Sequence, residues 1–402
     1  MSGTSQPVRE PIAITGAGVI TPIGQDLDTF WAGLTAGVSG IGEIEGFLVA
    51  DLRVRRGGEV KKLIRTPDPG RPVPACRASR FLILATAEAL AHAGLAGTRP
   101  EPGRIAVVVG TALGGIDDAS RVLRGDGRVR ALVGSLYDGP TRNLARWLGA
   151  EGPVLTVSTA CASGATSLGV GADLIRDDRA DVAIAGGVDV LCRFVQRGFN
   201  VLRSLTREEV RPFDRGRTGL LLGEGAGILV LERAASAAAR GCPPLGFLLG
   251  HASTADGAHI TAPDPEGRGL ALAIRLALRE AGLGPEAIEF VSAHGTGTPL
   301  NDRVETEVLK RVLGPRAYRV PVNSIKAHLG HTMGAAATLE AILCLLAGRH
   351  GQVPPTLNYR EPDPACDLDW VPNEARAHRP RISLSTSLGF GGSNAALVLA
   401  AA

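Results

Sequence analysis

A single cysteine stands among small residues in the segment VSTACASGATS, residues 157–167. The preceding EGPVLT is typical of a buried strand and the following LGVGADLIRDD of a helix, so Cys161 is predicted at a strand-to-helix turn. The free N–H groups at a helix start carry partial positive charge, which lowers the pKa of a thiol placed there. Cys161 is therefore expected to be an exposed nucleophile, although a lone cysteine is also common as a buried structural residue.

Two histidines and one lysine occur in motifs of a similar kind. The segment SAHGTGTPLND places His294 at a predicted strand end, and NSIKAHLGHTMGAA places Lys326 five residues before His331, which is expected to open the helix 332–347. The helix dipole disfavours an imidazolium there, so His331 should stay neutral and able to donate a hydrogen bond to a carbonyl oxygen. Lys326 is one of only four lysines among 43 basic residues, which favours a role that arginine cannot fill. Taken singly, each histidine is equally typical of a core or capping position.

Together, these groups fit carbon–carbon bond formation by acyl transfer better than proteolysis. A cysteine protease uses one base and one oxyanion hole, which leaves the second histidine and the lysine without a function. A thiolate that takes an acyl group as a thioester, beside two neutral imidazoles that stabilise an enolate, uses the whole set. The segment TSLGFGGSNAALVL places Phe390 among glycines, where it is expected to form a hinged plug or a set of aimed N–H groups, or a simple turn before a final strand.

The elements that must position these groups alternate between strand-like and helix-like patterns, which predicts an α/β architecture. An internal repeat spans nearly half the chain: two AGL triplets lie 188 residues apart, and two GT pairs, at 110–111 and 295–296, lie 185 apart. We expect two similar α/β halves packed face to face, with a site where their strand ends meet. A chance match between two amphipathic helices is the alternative.

Composition excludes several classes of protein. The net charge of +3 over 402 residues is too small for a dedicated nucleic-acid binder. The six cysteines form no CxxC pair, so no metal site is expected. The N-terminus lacks a signal-peptide pattern, and no apolar run reaches the length of a membrane span. We expect a cytoplasmic protein, without a membrane segment, whose thiols are reduced.

The chain resembles the β-ketoacyl–acyl carrier protein synthases, the condensing enzymes of fatty acid and type II polyketide assembly, over essentially its whole length. VSTACASG, RPFDRGRTGLLLGEGAG (211–227), AHGTGTPLND, NSIKAHLGHTMGAA and GFGGSN stand in the family order. The resemblance implies a thiolase-like α/β fold with two similar βαβαβ-type halves in a layered α-β-α-β-α arrangement. It implies an N-terminal half, 1–245, that carries the cysteine and a C-terminal half, 246–402, that carries the histidines and the lysine.

The resemblance also implies catalytic roles. Cys161 matches the acylated nucleophile, His294 and His331 match the pair that drives malonyl decarboxylation, and Lys326 matches the lysine that orders the site. The carboxylates that the resemblance places in the lysine's network are Glu340, its direct partner, and Glu305.

Substrate-binding roles follow from the same resemblance. The N–H groups of Cys161 and Phe390 correspond to the oxyanion hole, and the Phe390 ring corresponds to a gate for the acyl chain. Thr296 and Thr298 match threonines that contact the phosphopantetheine arm, and Leu113 falls where the family lines the acyl pocket.

Residues 51–80 hold nine basic and three acidic residues with no clean period, which is typical of a solvated surface loop. In the family this region often meets the carrier protein. Because carrier proteins are acidic, Lys61, Lys62 and Arg65 are expected as docking contacts.

The implied reaction is a decarboxylative Claisen condensation, in which malonyl–acyl carrier protein reacts with a cysteine-bound acyl chain to give 3-oxoacyl–acyl carrier protein. The resemblance implies an acyltransferase without a cofactor, because its substrates arrive on the phosphopantetheine arm of a carrier protein. It also implies a homodimer, or a heterodimer with a related ketosynthase-like chain.

Two other functions fit the sequence less well. A non-catalytic subunit resembling a chain length factor typically replaces the nucleophile, whereas this chain keeps Cys161, His294, His331 and Lys326. A thiolase would need a second cysteine near the C-terminal glycines, and GFGGSN has none. The segments RASRF (77–81) and GLL (219–221) depart from the pattern of housekeeping fatty-acid synthases. This departure favours a specialised polyketide or polyene pathway.

Overall fold

The computed structural model describes residues 9–64, 74, 76–97, 100–123, 125 and 129–402. The described strands are β1 Ile12–Ile20, β2 Ile41–Glu43, β3 Arg56–Gly58, β4 Ile105–Gly110, β5 Val154–Val157, β6 Val182–Asp189, β7 Gly225–Arg233, β8 Gly246–Ala255, β9 Phe290–Ser292, β10 Val322–Asn323, β11 Gln352–Val353, β12 Arg376–Ala377, β13 Ile382–Gly389 and β14 Ser393–Ala401. The described α-helices are α1 Leu27–Thr35, α2 Arg77–His92, α3 Ile116–Leu123, α4 Gly139–Leu148, α5 Ser163–Arg176, α6 Arg193–Val201, α7 Ala234–Ala239, α8 Arg268–Glu280, α9 Pro299–Leu313, α10 Lys326–Leu329 and α11 Ala336–His350. None of these helices is long and apolar enough to cross a membrane.

Ten strands form one sheet whose two halves repeat the same topology. The first half has the order β5-β4-β6-β7-β1 and the second has the order β10-β9-β13-β14-β8. Numbered within its own half, each follows the order 3-2-4-5-1. The halves join where β1 pairs with β8 in antiparallel register, with Ile12 opposite Leu248. The predicted pair of similar α/β halves is confirmed, and the predicted boundary between residues 245 and 246 falls immediately before β8.

The halves pack as layers because each buried strand presents alternate side chains to opposite faces. In β4, Val107 and Val109 pack outward against α2 and α4, while Ala106 and Val108 pack inward against α5. In the second half, α8 and α9 cover the outer face. The helices α5 and α11 lie between the two halves of the sheet. Residues 336–348 of α11 are all buried and mostly apolar, which suits a helix covered on every side.

Two equivalent turns lead into the central helices. Ala160 has φ +50° and opens the 3₁₀ turn Ala160–Ala162 before α5, and Met333 has φ +50° and opens the turn Met333–Ala335 before α11. Positive φ is costly for residues other than glycine, so a close-packed surrounding must impose both turns. Cys161 is the second residue of the first turn, and the corresponding position in the second turn is Gly334. The internal repeat therefore extends to the turn that carries the cysteine.

Candidate active site

One cavity of about 390 Å³ brings three of the predicted catalytic side chains together. Cys161, His294 and His331 all line it. The carboxyl ends of β5, β9 and β10 lead into these residues, so the site lies where the strand ends of the two halves meet. That is the position expected from the repeat.

Cys161 is almost fully buried in this cavity, with 7% of its surface exposed. His331 Nε2 lies 2.9 Å from Cys161 Sγ. Burial raises the pKa of the Cys161 thiol to about 11, although the backbone N–H of Phe390, the charge of Lys326 and its own backbone N–H all act to lower it. The expectation of an exposed thiol with a lowered pKa is therefore wrong, because the loss of hydration outweighs the local positive potential.

His331 is held by its backbone rather than by a helix. Its N–H donates to the carbonyl of Leu221 at 2.7 Å, and its carbonyl accepts from the N–H of Gly223 at 2.9 Å. The predicted start of the following helix is wrong: α11 begins at Ala336, after the intervening 3₁₀ turn. The segment TGLLLGEG, residues 218–225, thus positions His331. Nothing in its local sequence pattern predicts this function.

His294 is oriented by a buried carboxylate. Glu305 accepts hydrogen bonds from the N–H of His294 at 2.7 Å and from the N–H of Gly295 at 2.8 Å, and Thr386 Oγ1 donates to it at 2.7 Å. The His294 and His331 rings stand nearly perpendicular, with centroids 5.2 Å apart. Burial, aided by the charge of Lys326, lowers the pKa of both imidazoles well below the ordinary value. Both rings are therefore neutral at physiological pH, as predicted.

Lys326 and Glu340 form a buried ion pair, with 2% and 1% of their side chains exposed. Burial raises the pKa of Glu340 to about 7, against the lowering effect of Lys326. Ser324 connects this pair to the other carboxylate: its Oγ accepts from the N–H of Lys326 at 3.3 Å and donates to the carbonyl of Gly295 at 2.7 Å. The predicted contact of Lys326 with Glu340 is present, and Glu305 joins the same network through Gly295 and Ser324.

The cavity continues past an aromatic pair to a polar wall. Phe390 stacks on Phe199 with ring centroids 5.6 Å apart, and both rings line the cavity. Thr296 and Thr298 also line it, and their hydroxyl oxygens lie 2.9 Å apart. The sequence did not indicate Phe199 as a residue of the site, because it lies in α6, almost 200 residues from Phe390 in the chain.

Two family models account for most of the chain. The model described as the β-ketoacyl synthase N-terminal domain matches residues 9–237, and the C-terminal domain model matches residues 245–360. The chain belongs to the β-ketoacyl synthase family.

Curated relatives span the whole chain. The 3-oxoacyl-[acyl-carrier-protein] synthase 2 of Synechocystis sp. is 38% identical, over 97% of this chain and 97% of that protein. The tetracenomycin polyketide synthase ketoacyl synthase alpha subunit of Streptomyces glaucescens is 41% identical, over 97% and 96%. The ketosynthase therefore has near-full-length relatives named as a 3-oxoacyl-[acyl-carrier-protein] synthase and as a polyketide synthase subunit.

Solved structures share the fold. The ishigamide ketosynthase/chain length factor has a TM-score of 0.91 and 39% identity, covering 98% of this chain and 100% of that chain. A second match comes from the complex of a type II polyketide acyl carrier protein with its ketosynthase bound to the hexaketide. It has a TM-score of 0.89 and 30% identity, and the match covers 99% of this chain and 100% of that chain. The expectation of a thiolase-like α/β fold is confirmed.

Leu113 lies outside the set of described residues that line this ketosynthase cavity. It packs in a neighbouring apolar cluster that also includes Phe199 and Met333. The buried carboxylate of Asp189 holds its loop, accepting from the N–H of Leu113 at 3.0 Å and from the N–H of Gly334 at 2.6 Å. Leu113 therefore lies in a cluster that reaches the Phe390–Phe199 pair, and its acyl-pocket role stays a prediction.

The residues predicted to dock the carrier protein are not at the cavity. Lys61 is paired with Glu45, and the Lys62 carbonyl accepts from Gln25 Nε2 at 2.6 Å. Both lysines are exposed, and neither lines the cavity. Arg65 lies outside the described residues.

One half-buried cluster outside the cavity could supply metal ligands: Asp173, His251 and Glu280. Its carboxylates already hold arginines, since Arg9 contacts Asp173 and Arg176 contacts Glu280, each at 2.6 Å. The negative charge of these carboxylates, which a metal cation would need, is therefore already balanced by the two guanidinium groups.

Proposed function

We propose that this chain catalyses decarboxylative condensation of a carrier-bound malonyl thioester with an acyl chain held on Cys161. The observation that carries the proposal is the 2.9 Å approach of His331 Nε2 to Cys161 Sγ in a cavity that His294 also lines. Membership of the β-ketoacyl synthase family supports the reaction class.

In the first half-reaction the Cys161 sulfur attacks the carbonyl carbon of an acyl thioester. The bond between Cys161 Sγ and the acyl carbon forms and the bond from that carbon to the carrier sulfur breaks. The thiol proton passes to the departing carrier sulfur, while His331 keeps its own proton on Nε2 beside Cys161 Sγ. The backbone N–H groups of Cys161 and Phe390 both act to lower the pKa of the thiol, so they favour negative charge beside the sulfur and are suited to hold the tetrahedral oxyanion.

In the second half-reaction the malonyl thioester loses CO₂ and its electron pair becomes an enolate. Neutral imidazoles of His294 and His331 that carry a proton on Nε2 donate hydrogen bonds to the enolate oxygen. The enolate carbon then attacks the Cys161 thioester, so a C–C bond forms, the C–S bond breaks and the sulfur leaves as thiolate. The activated thioesters carry the driving force, so the steps need no cofactor.

We also propose that the chain works with a second ketosynthase-like chain. Strand β5 ends the sheet among the described residues, and its Val154 and Leu155 are 37% and 40% exposed. An apolar edge strand favours pairing with another chain. The solved ishigamide ketosynthase/chain length factor, which shares the fold, supports such a pairing. Because this chain keeps Cys161, we assign it the catalytic position rather than that of the factor.

The experiment is an intact-mass measurement after incubation with an acyl–acyl carrier protein. The wild type should gain the mass of the acyl group, and Cys161→Ala should not. An unmodified wild type would contradict the catalytic assignment. A gas-release assay with malonyl–carrier protein then tests the second half-reaction, and the length of the products distinguishes fatty-acid from specialised polyketide substrates.

A further inference from the structure

A buried carboxylate at the end of β6 binds two separate segments of the chain. Asp189 is the last residue of β6 and is 0% exposed. Its two oxygens accept four hydrogen bonds, from Thr111 Oγ1 at 2.8 Å and from the N–H groups of Ala112, Leu113 and Gly334 at 2.9, 3.0 and 2.6 Å. Bonds to an ionised carboxylate are stronger than those between neutral groups, so all four donors hold their segments firmly.

The first segment is the loop that follows β4. Thr111 Oγ1 donates to Asp189 and accepts from the N–H of Gly114 at 2.8 Å, so one hydroxyl closes the turn and ties it to β6. Leu113 in the same loop packs in one apolar cluster with Phe199, which lines the cavity. A shift of this loop would therefore reach the cavity wall through that cluster.

The second segment is the turn Met333–Ala335, which begins two residues after His331. Gly334 in this turn donates its N–H to Asp189 Oδ2. The turn also lies directly against the first segment, because a Cβ added to Gly334 would be 2.7 Å from the Thr111 Cα. Asp189 thus bridges the loop after β4 and the turn after His331 at the point where they meet.

We propose that Asp189 is a positioning residue for the condensation: it fixes the loop 111–114 against the turn after His331, and so fixes the wall near the acyl chain relative to Cys161. This inference rests on the proposed condensation. It makes the placement of Leu113, and with it the selection of acyl length, depend on a carboxylate in another strand. The charge of Asp189 also acts on the site, because it raises the pKa of the Cys161 thiol.

Two substitutions separate the parts of this bridge. Asp189→Asn keeps the size of the side chain, but an amide has one oxygen and one NH₂ group, so two of the four donors then face another donor. Thr111→Val removes the hydroxyl bond and leaves the bond from Gly334 to Asp189, so it loosens the loop alone and keeps the charge. Thr111→Ser retains the hydroxyl and is the conservative variant.

Selectivity for acyl length tests the bridge, because a ratio of two rates on one enzyme sample does not depend on how much of that sample is folded. Acylation of Cys161 is followed by intact mass with a series of acyl-pantetheines from acetyl to decanoyl. The ratio of kcat/KM between the best and the worst donor should fall at least about fivefold in Asp189→Asn and Thr111→Val. Thr111→Ser should keep the wild-type ratio within about twofold.

Thr15→Val is the matched control for the loss of a buried hydroxyl. Thr15 Oγ1 also donates to a buried carboxylate, that of Glu232 at 2.6 Å, and both residues are 1% exposed. Neither lines the cavity, so Thr15→Val should lose stability but keep the wild-type dependence on acyl length.

The charge of Asp189 has a readout of its own. Iodoacetamide should alkylate Cys161 at pH 8 at least about twofold faster in Asp189→Asn than in the wild type, because the nearby negative charge is gone and more thiolate forms. Thr111→Val keeps that charge and should react at the wild-type rate. Equal rates in Asp189→Asn and the wild type would overturn the effect of the charge.

Each failure has a distinct signature. If the wild type takes an acyl group from no donor, the proposed condensation fails and the positioning role fails with it. A wild type that accepts all donors equally, or variants that keep its selectivity, would overturn the positioning role alone. Lost selectivity in Thr15→Val would do the same, because it would show a general response to lower stability. If Asp189→Asn does not fold, Thr111→Val and Thr111→Ser decide the question, since both keep the carboxylate.

Discussion

His331 Nε2 lies 2.9 Å from Cys161 Sγ, and the two residues come from turns 170 positions apart in the chain. Burial raises the pKa of the thiol to about 11 and lowers the pKa of the imidazole well below its ordinary value. Both shifts favour the uncharged form of the side chain, the thiol in one case and the neutral imidazole in the other. At neutral pH the pair is therefore a thiol beside a neutral imidazole, not a thiolate beside an imidazolium.

Alkylation of Cys161 should become faster with pH throughout the range from about pH 6 to 10, because only the thiolate reacts and its pKa lies above this range. A logarithmic plot of the iodoacetamide rate should rise with a slope near one. Peptide mapping against Cys161→Ser assigns the label. A plateau near pH 7 would show an ion pair and contradict the neutral pair.

His294→Ala should accept an acyl group at nearly the wild-type rate but release CO₂ from malonyl–carrier protein at least about 100-fold more slowly, because one hydrogen-bond donor to the enolate is lost. Intact mass measures the first reaction and gas release measures the second. The matched control is His378→Ala, a half-buried histidine whose ring nitrogen contacts the Glu289 carbonyl, far from the cavity lining. Decarboxylation at the wild-type rate in His294→Ala would remove the enolate role.

Lys326→Met should destabilise the fold by about 3–5 kcal/mol at pH 8, because Glu340 then loses its partner in the interior. The folded-state pKa of Glu340 is already raised to about 7, above the unfolded value, so its favourable contribution is present at low pH and lost as the pH rises through 7. The loss in Lys326→Met should therefore be smaller at pH 5 than at pH 8. Urea unfolding at both pH values measures it.

The double variant Lys326→Met/Glu340→Leu is the control for that measurement. Removing both charges leaves no unpaired ion, so most of the lost stability should return at pH 8. A double variant as unstable as the single one would mean that packing around Lys326, and not the charge, is responsible.

Gly164→Ala should cost about 1–3 kcal/mol, because the added Cβ would lie 2.8 Å from the Gly334 carbonyl and 2.6 Å from Thr338 Oγ1, between the two central helices. Gly198→Ala in α6 is the matched control, since nothing lies within 4 Å of its added Cβ. The control should gain about 0.5–1 kcal/mol from reduced flexibility of the unfolded chain. Equal effects of the two substitutions in chemical denaturation would contradict the close approach of α5 and α11.

Local patterns predicted the strand-to-helix turn at Cys161, the strand end before His294 and the repeat of two halves. Each depends on residues within one short segment, or on two segments that resemble each other. The start of α11 was misplaced because Thr332 and Met333 suit a helix by composition, while contacts with distant residues hold them in another conformation. Gly334, for example, donates to Asp189, which lies 145 positions away.

The sequence by itself determined which side chains stand at the ends of strands and helices, because small residues and hydrophobic periodicity act along the chain. It also determined the family, through five motifs in order. Only the tertiary structure decided that burial raises the pKa of Cys161, that Phe390 stacks on Phe199, and that Lys61 is paired with Glu45. These properties depend on burial and on pairs of residues far apart in the chain, and both exist only once the two halves have packed together.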